Sequence, residues 1–263
     1  MTILDTLAEH AQNRVNAAKQ KRSLASLRAD AEAMPKSSFV FESALRGEAL
    51  SFICECKKAS PSKGLIAPDF PYLQIAKDYE AAGADCISVL TEPDYFLGSD
   101  SYLAEIAAAV RIPCLRKDFT VDPYMIYEAK LLGASAVLLI CAILDEARLQ
   151  EYHDIADSLG LSALVETHDE YEIETAAKIG ACIIGVNNRN LHNFSVDSGH
   201  AARLRQYAPE NALFVSESGM QTPADIANAK KAGADAVLIG ETLMRAPDKA
   251  KMLQYLKQEL PVS

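Results

Sequence analysis

Several features that would assign this chain to other protein classes are missing from its sequence. No uninterrupted apolar run approaches the roughly 20 residues of a membrane-spanning helix. The six cysteines contain no Cys-x-x-Cys pair, which favours reduced, packed thiols in a cytoplasmic protein over disulfides or zinc. The N-terminal 22 residues are amphipathic and acidic near their start, so we expect no signal peptide. A net charge of −10 argues against nucleic acid as a partner.

A repeated pattern is present instead and predicts the architecture. Each copy looks like a helix end, a glycine, a turn residue and a short apolar strand. The copies are AAGADCISVL (81–90), LLGASAVLLI (131–140), KIGACIIGVN (178–187) and KAGADAVLIG (231–240). Four more apolar strands fit before or between them, at 50–56, 112–117, 161–166 and 212–216. The chain therefore contains eight strand–helix units, and strands apolar on both faces are typical of parallel sheets covered by helices.

Such units can form an open doubly wound sheet or a closed (β/α)₈ barrel. Eight units, a length of 263 residues and the absence of a Gly-x-Gly-x-x-Gly turn favour the α/β class with a single (β/α)₈ TIM barrel. We expect residues 1–263 to form one domain, because no linker divides the chain. Residues 1–49 are expected to form an N-terminal helical extension, with helices near 3–20 and 23–33, packed over one end of the barrel.

Charged residues interrupt the first apolar strand, in SFICECKKASPSKG. Side chains alternate along a strand, so Glu55 and Lys57 share one face while Cys54 and Cys56 share the other. If Ile53 faces the barrel interior, Glu55 and Lys57 point into its upper layer. Active sites of such barrels lie at the carboxyl ends of the strands, so these charges mark the mouth.

Other strands also end in polar side chains that should converge on the same cavity. These are Lys117 after strand 3, Glu166 after strand 5, Asn187 and Arg189 after strand 6, and Glu217 and Ser218 after strand 7. Any one of them could belong to a salt bridge that fills the barrel top. The whole set favours function, because buried charges are costly unless well paired and a purely structural barrel would use apolar residues there.

The loops after strands 7 and 8 predict a phosphate site. SESGMQTPADI and LIGETLM each place a glycine between a strand end and a helix start, which is the usual phosphate cradle of this fold. Glu241 is unfavourable beside an anion, so it should point outward or contribute only its backbone.

The sequence motifs, taken together, resemble those of one protein family. The segments FICECKKASPSKG, LTEPDYFLGS, LRKDFTVDPYMIYEA, LVETHDEYE, IIGVNNRNL, VSESGM and LIGETLM occur in order and at fitting intervals. Together they resemble indole-3-glycerol-phosphate synthase, a (β/α)₈ enzyme of tryptophan biosynthesis, from about residue 3 to the last helix. The strand-1 motif and LRKDF are specific, whereas the glycine turns are shared with sister barrels.

The resemblance implies a lyase reaction on a phosphorylated small molecule. 1-(2-Carboxyphenylamino)-1-deoxyribulose 5-phosphate would close its ring, losing CO₂ and water, to give indole-3-glycerol phosphate. No cofactor, metal, nucleic acid or membrane is expected. We expect a cytoplasmic monomer, with a complex with other tryptophan-pathway enzymes left open.

The resemblance also implies roles for individual residues. Lys117 would be the general acid on the substrate ketone, and Glu166 would act in the proton transfers that accompany loss of water. The polar site would be completed by Glu55, Lys57, Asn187 and Arg189, with Glu217 against the substrate and Ser60 in the loop above it. The aromatic ring would be walled by Phe96, Phe119, Leu138 and Leu191. The phosphate would be held by Ser218, Gly219, Gly240 and the backbone at Glu241.

The residue types suit this chemistry independently of the resemblance. A lysine can protonate the ketone oxygen as negative charge grows on it, more readily if neighbours or burial lower its pKa. Two carboxylates and two lysines in different surroundings could divide the remaining acid and base steps. Alternative interpretations are phosphoribosylanthranilate isomerase, the tryptophan synthase α subunit, a Schiff-base aldolase with a lysine nucleophile, and a non-catalytic binder of phosphorylated ligands.

Overall fold

The computed structural model describes residues 2–190 and 194–258, and within them eight parallel strands close into a barrel. The barrel strands are β1 (Ser51–Cys56), β2 (Cys86–Leu90), β3 (Cys114–Lys117), β4 (Ala136–Ile140), β5 (Ser162–Thr167), β6 (Ile183–Asn187), β7 (Leu213–Glu217) and β8 (Ala236–Ile239). Each strand pairs with the next in sequence, and the register of Ser51 with Ala236 closes the ring between β1 and β8. The predicted barrel and its eight strands are confirmed.

Helices precede the barrel and follow its strands. They are α1 (Ile3–Lys21), α2 (Leu24–Ala33), α3 (Val40–Leu45), α4 (Tyr72–Ala81), α5 (Asp100–Ala109), α6 (Pro123–Leu131), α7 (Glu146–Leu159), α8 (Glu170–Lys178), α9 (His200–Leu204), α10 (Pro223–Lys231), α11 (Glu241–Arg245) and α12 (Lys249–Leu256). A short antiparallel pair, Ala59–Ser60 with Gly64–Leu65, lies in the loop after β1. Among the described residues, no helix combines the length and apolar character needed to cross a membrane.

The repeated glycine produces the turn from each helix into the next strand. Gly133 follows α6 with a φ of 84°, a left-handed conformation that is costly for residues with a side chain. The Gly133 N–H donates to Lys130 O, and the Ala134 N–H donates to Ala129 O, so the last turn of α6 ends with its carbonyls satisfied. The chain then enters β4 after one further residue.

The strands separate two apolar layers, as their alternation predicts. Inside the barrel lie Ile53, Leu115, Leu138, Leu164, Ile183, Val215 and Leu238. Between the sheet and the helices lie Phe52, Cys54, Cys56, Val89, Val137, Val165, Phe214 and Ile239. Because Ile53 faces inward, Glu55 and Lys57 continue on the inner face, and the two cysteines of β1 face the helices.

The N-terminal extension reaches both ends of the barrel, so the expectation that it covers one end was wrong. At the carboxyl end, Arg14 of α1 forms two bonds of 2.7 and 3.1 Å to Asp118, just after β3. At the amino end, Phe41 and Leu45 of α3 are fully buried in the inner cluster. The Glu42 N–H also donates to the Ser162 hydroxyl, 3.2 Å away, at the start of β5.

The segment between those two contacts runs down the side of the barrel. The Arg28 guanidinium of α2 lies 5.8 Å from the centre of the Tyr127 ring on α6. Below it, the Lys130 ammonium donates to Pro35 O at 2.9 Å and to the Ser37 hydroxyl at 2.6 Å. These contacts on α6 guide the chain from one end of the barrel to the other.

Candidate active site

A cavity of about 580 Å³ opens at the carboxyl ends of the strands, a volume in the usual range for small-molecule sites. Every predicted site residue that the structure describes lines it. These are Glu55, Lys57, Ser60, Phe96, Lys117, Phe119, Leu138, Glu166, Asn187, Arg189, Glu217, Ser218, Gly219, Gly240 and Glu241. Leu191 lies outside the described residues, so its predicted place in the wall stays a prediction.

The end of β1 supplies the first ion pair of the cavity. Lys57 Nζ lies 2.7 Å from Glu55 Oε1, and the Ser88 hydroxyl donates to Glu55 Oε2 at 3.3 Å. Burial raises the pKa of Glu55, but the positive charges of Lys57 and Lys117 outweigh burial and hold it below its usual value. A Cβ at Gly240 would overlap Glu55 Oε1 and lie 2.8 Å from Lys57 Nζ, so this pair needs a glycine at the end of β8.

Lys117 at the end of β3 lies between two carboxyl groups. Its Nζ is 3.2 Å from Glu166 Oε2 and 3.7 Å from Glu217 Oε2. Burial lowers the pKa of Lys117, but Glu166, Glu217 and Glu55 outweigh burial and raise the pKa above its ordinary value. The lowering considered from the sequence therefore does not occur, and Lys117 is an ammonium group at neutral pH.

Glu166 and Glu217 have opposite pKa shifts although both are buried. For Glu166, burial raises the pKa, but Lys117, His168 and a hydrogen bond from Asn187 hold it below the usual value. For Glu217, burial and the negative charge of Glu166 raise the pKa to about 8. At neutral pH this pair thus consists of one ionised carboxyl group, Glu166, and one protonated carboxyl group, Glu217, an arrangement suited to separate base and acid functions.

The surroundings of Glu217 explain why it keeps its proton. Its side chain is buried, and its Oε1 has no hydrogen-bond partner among the residues that the structure describes. Gly185 of β6 leaves the space that the carboxyl group occupies, because a Cβ there would overlap Glu217 Oε1. An ionised carboxylate in this position would lack the hydrogen bonds that offset desolvation.

Two phenylalanines form an apolar wall beside the charged groups. The ring centres of Phe96 and Phe119 are 6.1 Å apart with their planes inclined at 43°. The loop that carries Phe96 is fixed by the fully buried Glu92 carboxylate, which accepts the N–H groups of Tyr95 at 2.8 Å and Phe96 at 2.9 Å. With Leu138 of β4, this wall suits a flat apolar ring.

The loop after β7 adopts an unusual backbone conformation at the cavity edge. Ser218 and Gly219 both have positive φ angles, of 66° and 85°. The Ser218 carbonyl accepts a hydrogen bond of 3.1 Å from the Asn188 side chain, which holds this conformation. A non-glycine residue in the left-handed region is uncommon and is often found at ligand sites.

Glu241, the first residue of α11, is surrounded by cations at the rim. Its carboxylate lies 3.0 Å from Arg245, and 3.6 Å from both Lys63 and Arg189. Burial raises the pKa of Glu241, but the hydrogen bond from Arg245 and the charges of Lys63, Arg245 and Arg189 keep it below the usual value. The three cations give the rim an excess of positive charge despite the net charge of −10.

Two parts of the site were not identified from the sequence. Ile3, Leu4 and Leu7 of α1 line the cavity. Their spacing indicated an apolar helix face but not the surface it covers. His168 lies behind Glu166, with 3.5 Å between His168 Nε2 and Glu166 Oε1. The only sequence signal for it was its position two residues after Glu166, on the same strand face.

Acidic and cysteine side chains do not form a metal site in the part of the chain that the structure describes. No group of three or more His, Cys, Asp or Glu residues there could hold a metal ion. The polar groups of the cavity are instead paired with one another as lysine–carboxylate contacts.

Sequence comparison relates the chain to one family along almost its full length. A family model described as indole-3-glycerol phosphate synthase matches residues 4–256. A relative named indole-3-glycerol phosphate synthase from Ruminiclostridium cellulolyticum is 56% identical over 256 residues, covering 97% of this chain and 98% of the relative. A relative of the same name from Endomicrobium trichonymphae is 52% identical, covering 97% of this chain and 99% of the relative.

Solved structures with similar folds are more distant in sequence. A 3-hexulose-6-phosphate synthase superimposes with a TM-score of 0.64 at 15% identity, covering 79% of this chain and 98% of that one. A thiamine phosphate pyrophosphorylase from Pyrococcus furiosus has a TM-score of 0.61 at 15% identity, covering 81% and 96%. At this identity the likeness shows the barrel fold alone.

Proposed function

The chain belongs to the indole-3-glycerol phosphate synthase family, and we propose which of its side chains carry out the steps of that family's reaction. The reaction converts 1-(2-carboxyphenylamino)-1-deoxyribulose 5-phosphate into indole-3-glycerol phosphate with loss of CO₂ and water. The chain is thus a carboxy-lyase of tryptophan biosynthesis.

Lys117 is the acid for ring closure. In this step the aromatic carbon that carries the carboxylate bonds to the ketone carbon, and the ketone oxygen gains negative charge. Lys117 donates a proton to that oxygen, and CO₂ then leaves to restore the aromatic ring. The observation that carries this assignment is the position of the Lys117 ammonium between Glu166 and Glu217 at the barrel mouth. Its raised pKa ensures that the proton is present when substrate binds.

Glu166 is the base for the dehydration that follows. The hydroxyl derived from the ketone leaves as water with a proton from Lys57, the ammonium held by Glu55. Glu166 removes the proton from the neighbouring ring carbon, which completes the indole. The low pKa of Glu166 keeps it ionised and able to accept this proton.

Glu217, Asn187 and Arg189 orient the substrate around these groups. Glu217 holds its proton at neutral pH and can donate a hydrogen bond to a substrate oxygen. Asn187 bonds to Glu166, and its Oδ1 accepts the Arg189 N–H at 3.0 Å, so the end of β6 is aligned with the base.

The two ends of the substrate occupy different walls of the cavity. The phosphate is held by Ser218 and Gly219 after β7 and by Gly240 and the backbone of Glu241 after β8. The positively charged side chains at the rim attract the phosphate electrostatically. The carboxyphenyl ring lies against Phe96, Phe119 and Leu138, with the Ser60 loop above.

A Schiff-base aldolase fits the site poorly. That mechanism needs a neutral amine as nucleophile, whereas the Glu166 and Glu55 carboxylates keep Lys117 protonated. Borohydride treatment with a keto phosphate should therefore leave no adduct on Lys117. Reduction of a covalent adduct at this lysine would contradict the acid role.

Replacing Lys117 by alanine tests the assignment. Ring closure, followed by the fluorescence of the indole product, should fall by about 10³-fold, as expected for loss of a general acid. Affinity for inorganic phosphate should change by less than about threefold, because the loops after β7 and β8 stay intact. Lys58→Ala is the matched control, because Lys58 follows β1 by two residues and is not among the residues that line the cavity. Near-normal turnover by Lys117→Ala would mean that another group is the acid.

We also propose a cellular setting for the protein. All six cysteines are unpaired, which supports a reducing, cytoplasmic location. The acid and base groups Lys117, Glu166, Lys57 and Glu55 all come from one barrel, so the proposed mechanism needs no second subunit and we propose a working monomer. Sedimentation analysis of the purified protein tests the monomer.

A further inference from the structure

A half-buried histidine, His168, connects Glu166, the proposed catalytic base, to a second carboxylate outside the barrel. His168 follows β5, and its Nε2 lies 3.5 Å from Glu166 Oε1. On the other side, its Nδ1 lies 3.2 Å from Glu172 Oε2 in the first turn of α8. The same Glu172 oxygen accepts the His168 backbone N–H at 2.7 Å. The three side chains thus form a row from α8 to the cavity, with the imidazole in the middle.

The imidazole is fixed in this row, and one of its nitrogens is left for Glu166. The His168 carbonyl lies 2.8 Å from His200 Nε2, which holds the backbone from the side of α9. His168 Nε2 is buried and has no hydrogen-bond partner in the described ranges of the chain. Its nearest charged neighbour is the Glu166 carboxylate. A packing histidine would satisfy this nitrogen elsewhere, because a buried donor without a partner is costly.

We propose that His168 is a positioning residue for the reaction: its imidazolium, anchored on Glu172, keeps the Glu166 carboxylate ionised and aimed at the substrate carbon. This inference rests on the proposed role of Glu166 as the base. It assigns no proton transfer to His168 itself.

The charges around His168 favour its protonated form. Burial lowers the pKa of His168, but the hydrogen bond to Glu172 and the charges of Glu166 and Glu172 outweigh burial and raise it. The other titratable groups near the row are Lys117 on β3, Cys141 after β4, Asp169 before α8 and His200 on α9. Lys117 contacts Glu166 Oε2, whereas His168 faces Glu166 Oε1.

The pH dependence of turnover tests the inference, because a group that only packs would not change it. Glu166 must be ionised to act, so activity falls on the acid side as Glu166 gains a proton. His168→Asn removes the positive charge, and the acid limb of kcat should move upward by about one pH unit. Glu172→Gln should move it in the same direction by less, since the imidazole loses its anchor. His153→Asn on α7 is the matched control and should leave the profile unchanged.

The outcomes separate this inference from the proposed function. A uniform loss of kcat in His168→Asn, with the acid limb unmoved, would overturn the positioning role. A failure of the proposed function would give a different result: near-normal turnover by Glu166→Gln would show that Glu166 is not the base.

An NMR titration of the imidazole in the intact protein reads the contact directly. The pKa of His168 should fall in both Glu166→Gln and Glu172→Gln, whether or not Glu166 is catalytic. An unchanged His168 titration in Glu166→Gln would show that the two groups do not interact, and would also overturn the inference.

Discussion

Replacing Glu217 by glutamine should stabilise the protein, although Glu217 lies in the centre of the site. Glutamine has nearly the same shape as a protonated glutamic acid and carries no charge at any pH. The wild-type side chain must instead keep its proton against a rising pH, because burial and Glu166 raise its pKa from 4.5 to about 8. The variant therefore lacks the free-energy cost of keeping this side chain protonated as the pH rises.

The size of the effect follows from proton linkage. Between pH 4.5 and 8 the folded protein binds one more proton at Glu217 than the unfolded chain, so this contribution to stability is complete below pH 4.5 and disappears as pH rises through about 8. Each pH unit in that window is worth about 1.4 kcal/mol. Relative to wild type, Glu217→Gln should therefore gain up to about 3 kcal/mol at pH 7, and nothing further above pH 8.

Urea unfolding at pH 4.5, 6, 7 and 8 measures this difference. Groups that titrate equally in both proteins cancel, so the difference between variant and wild type should rise with pH. Glu166→Gln is the control with opposite sign. The pKa of Glu166 is lowered in the folded state, so its contribution is present above pH 4.5 and is lost as pH falls through the folded pKa. That variant should be less stable throughout this series, and the deficit should shrink only in a further measurement below pH 4.5. A pH-independent difference for Glu217→Gln would refute the reasoning.

Three further predictions follow from the packing and burial described above. Gly185→Ala should cost about 1–3 kcal/mol in urea unfolding and should lower turnover, because the new methyl group overlaps the Glu217 carboxyl; unchanged values would contradict the overlap. Arg14→Ala should cost about 2 kcal/mol, because Asp118 is fully buried and loses both bonds from α1, whereas Arg14→Lys should recover part of this loss. Cys182, the one exposed thiol, should react first with iodoacetamide under native conditions, as peptide mass mapping would show.

The fold was predictable because its signals are local. A glycine such as Gly133 ends a helix and starts a strand within four residues, and four copies of that pattern fixed half of the strands. Helix α3 was not predicted because it lacks a local signal of this kind. It begins after Phe39, which has a φ of 53° and provides no side-chain cap, so nothing in the sequence announces a helix start. The treatment of the chain as one domain stays a prediction.

The sequence predicted those parts of the site that depend only on the alternation of side chains along a strand. Alternation placed Glu55, Lys57 and Lys117 inside the barrel once the direction of one apolar neighbour was assumed. Their protonation was not predictable, because it depends on distances between β3, β5 and β7 that no local pattern contains. The raised pKa of Lys117 and the opposite shifts of Glu166 and Glu217 are consequences of that three-dimensional arrangement.

The two-ended attachment of the N-terminal extension has a consequence for biosynthesis. Arg14 and Asp118 are separated by 104 positions, and Glu42 and Ser162 by 120, so Arg14 and Glu42 are synthesised long before the residues they contact. Contacts of such long range form slowly, because a long loop must close first. Until β5 has been synthesised, the apolar residues of α1 and α3 remain exposed to solvent, which makes the nascent chain a substrate for chaperones.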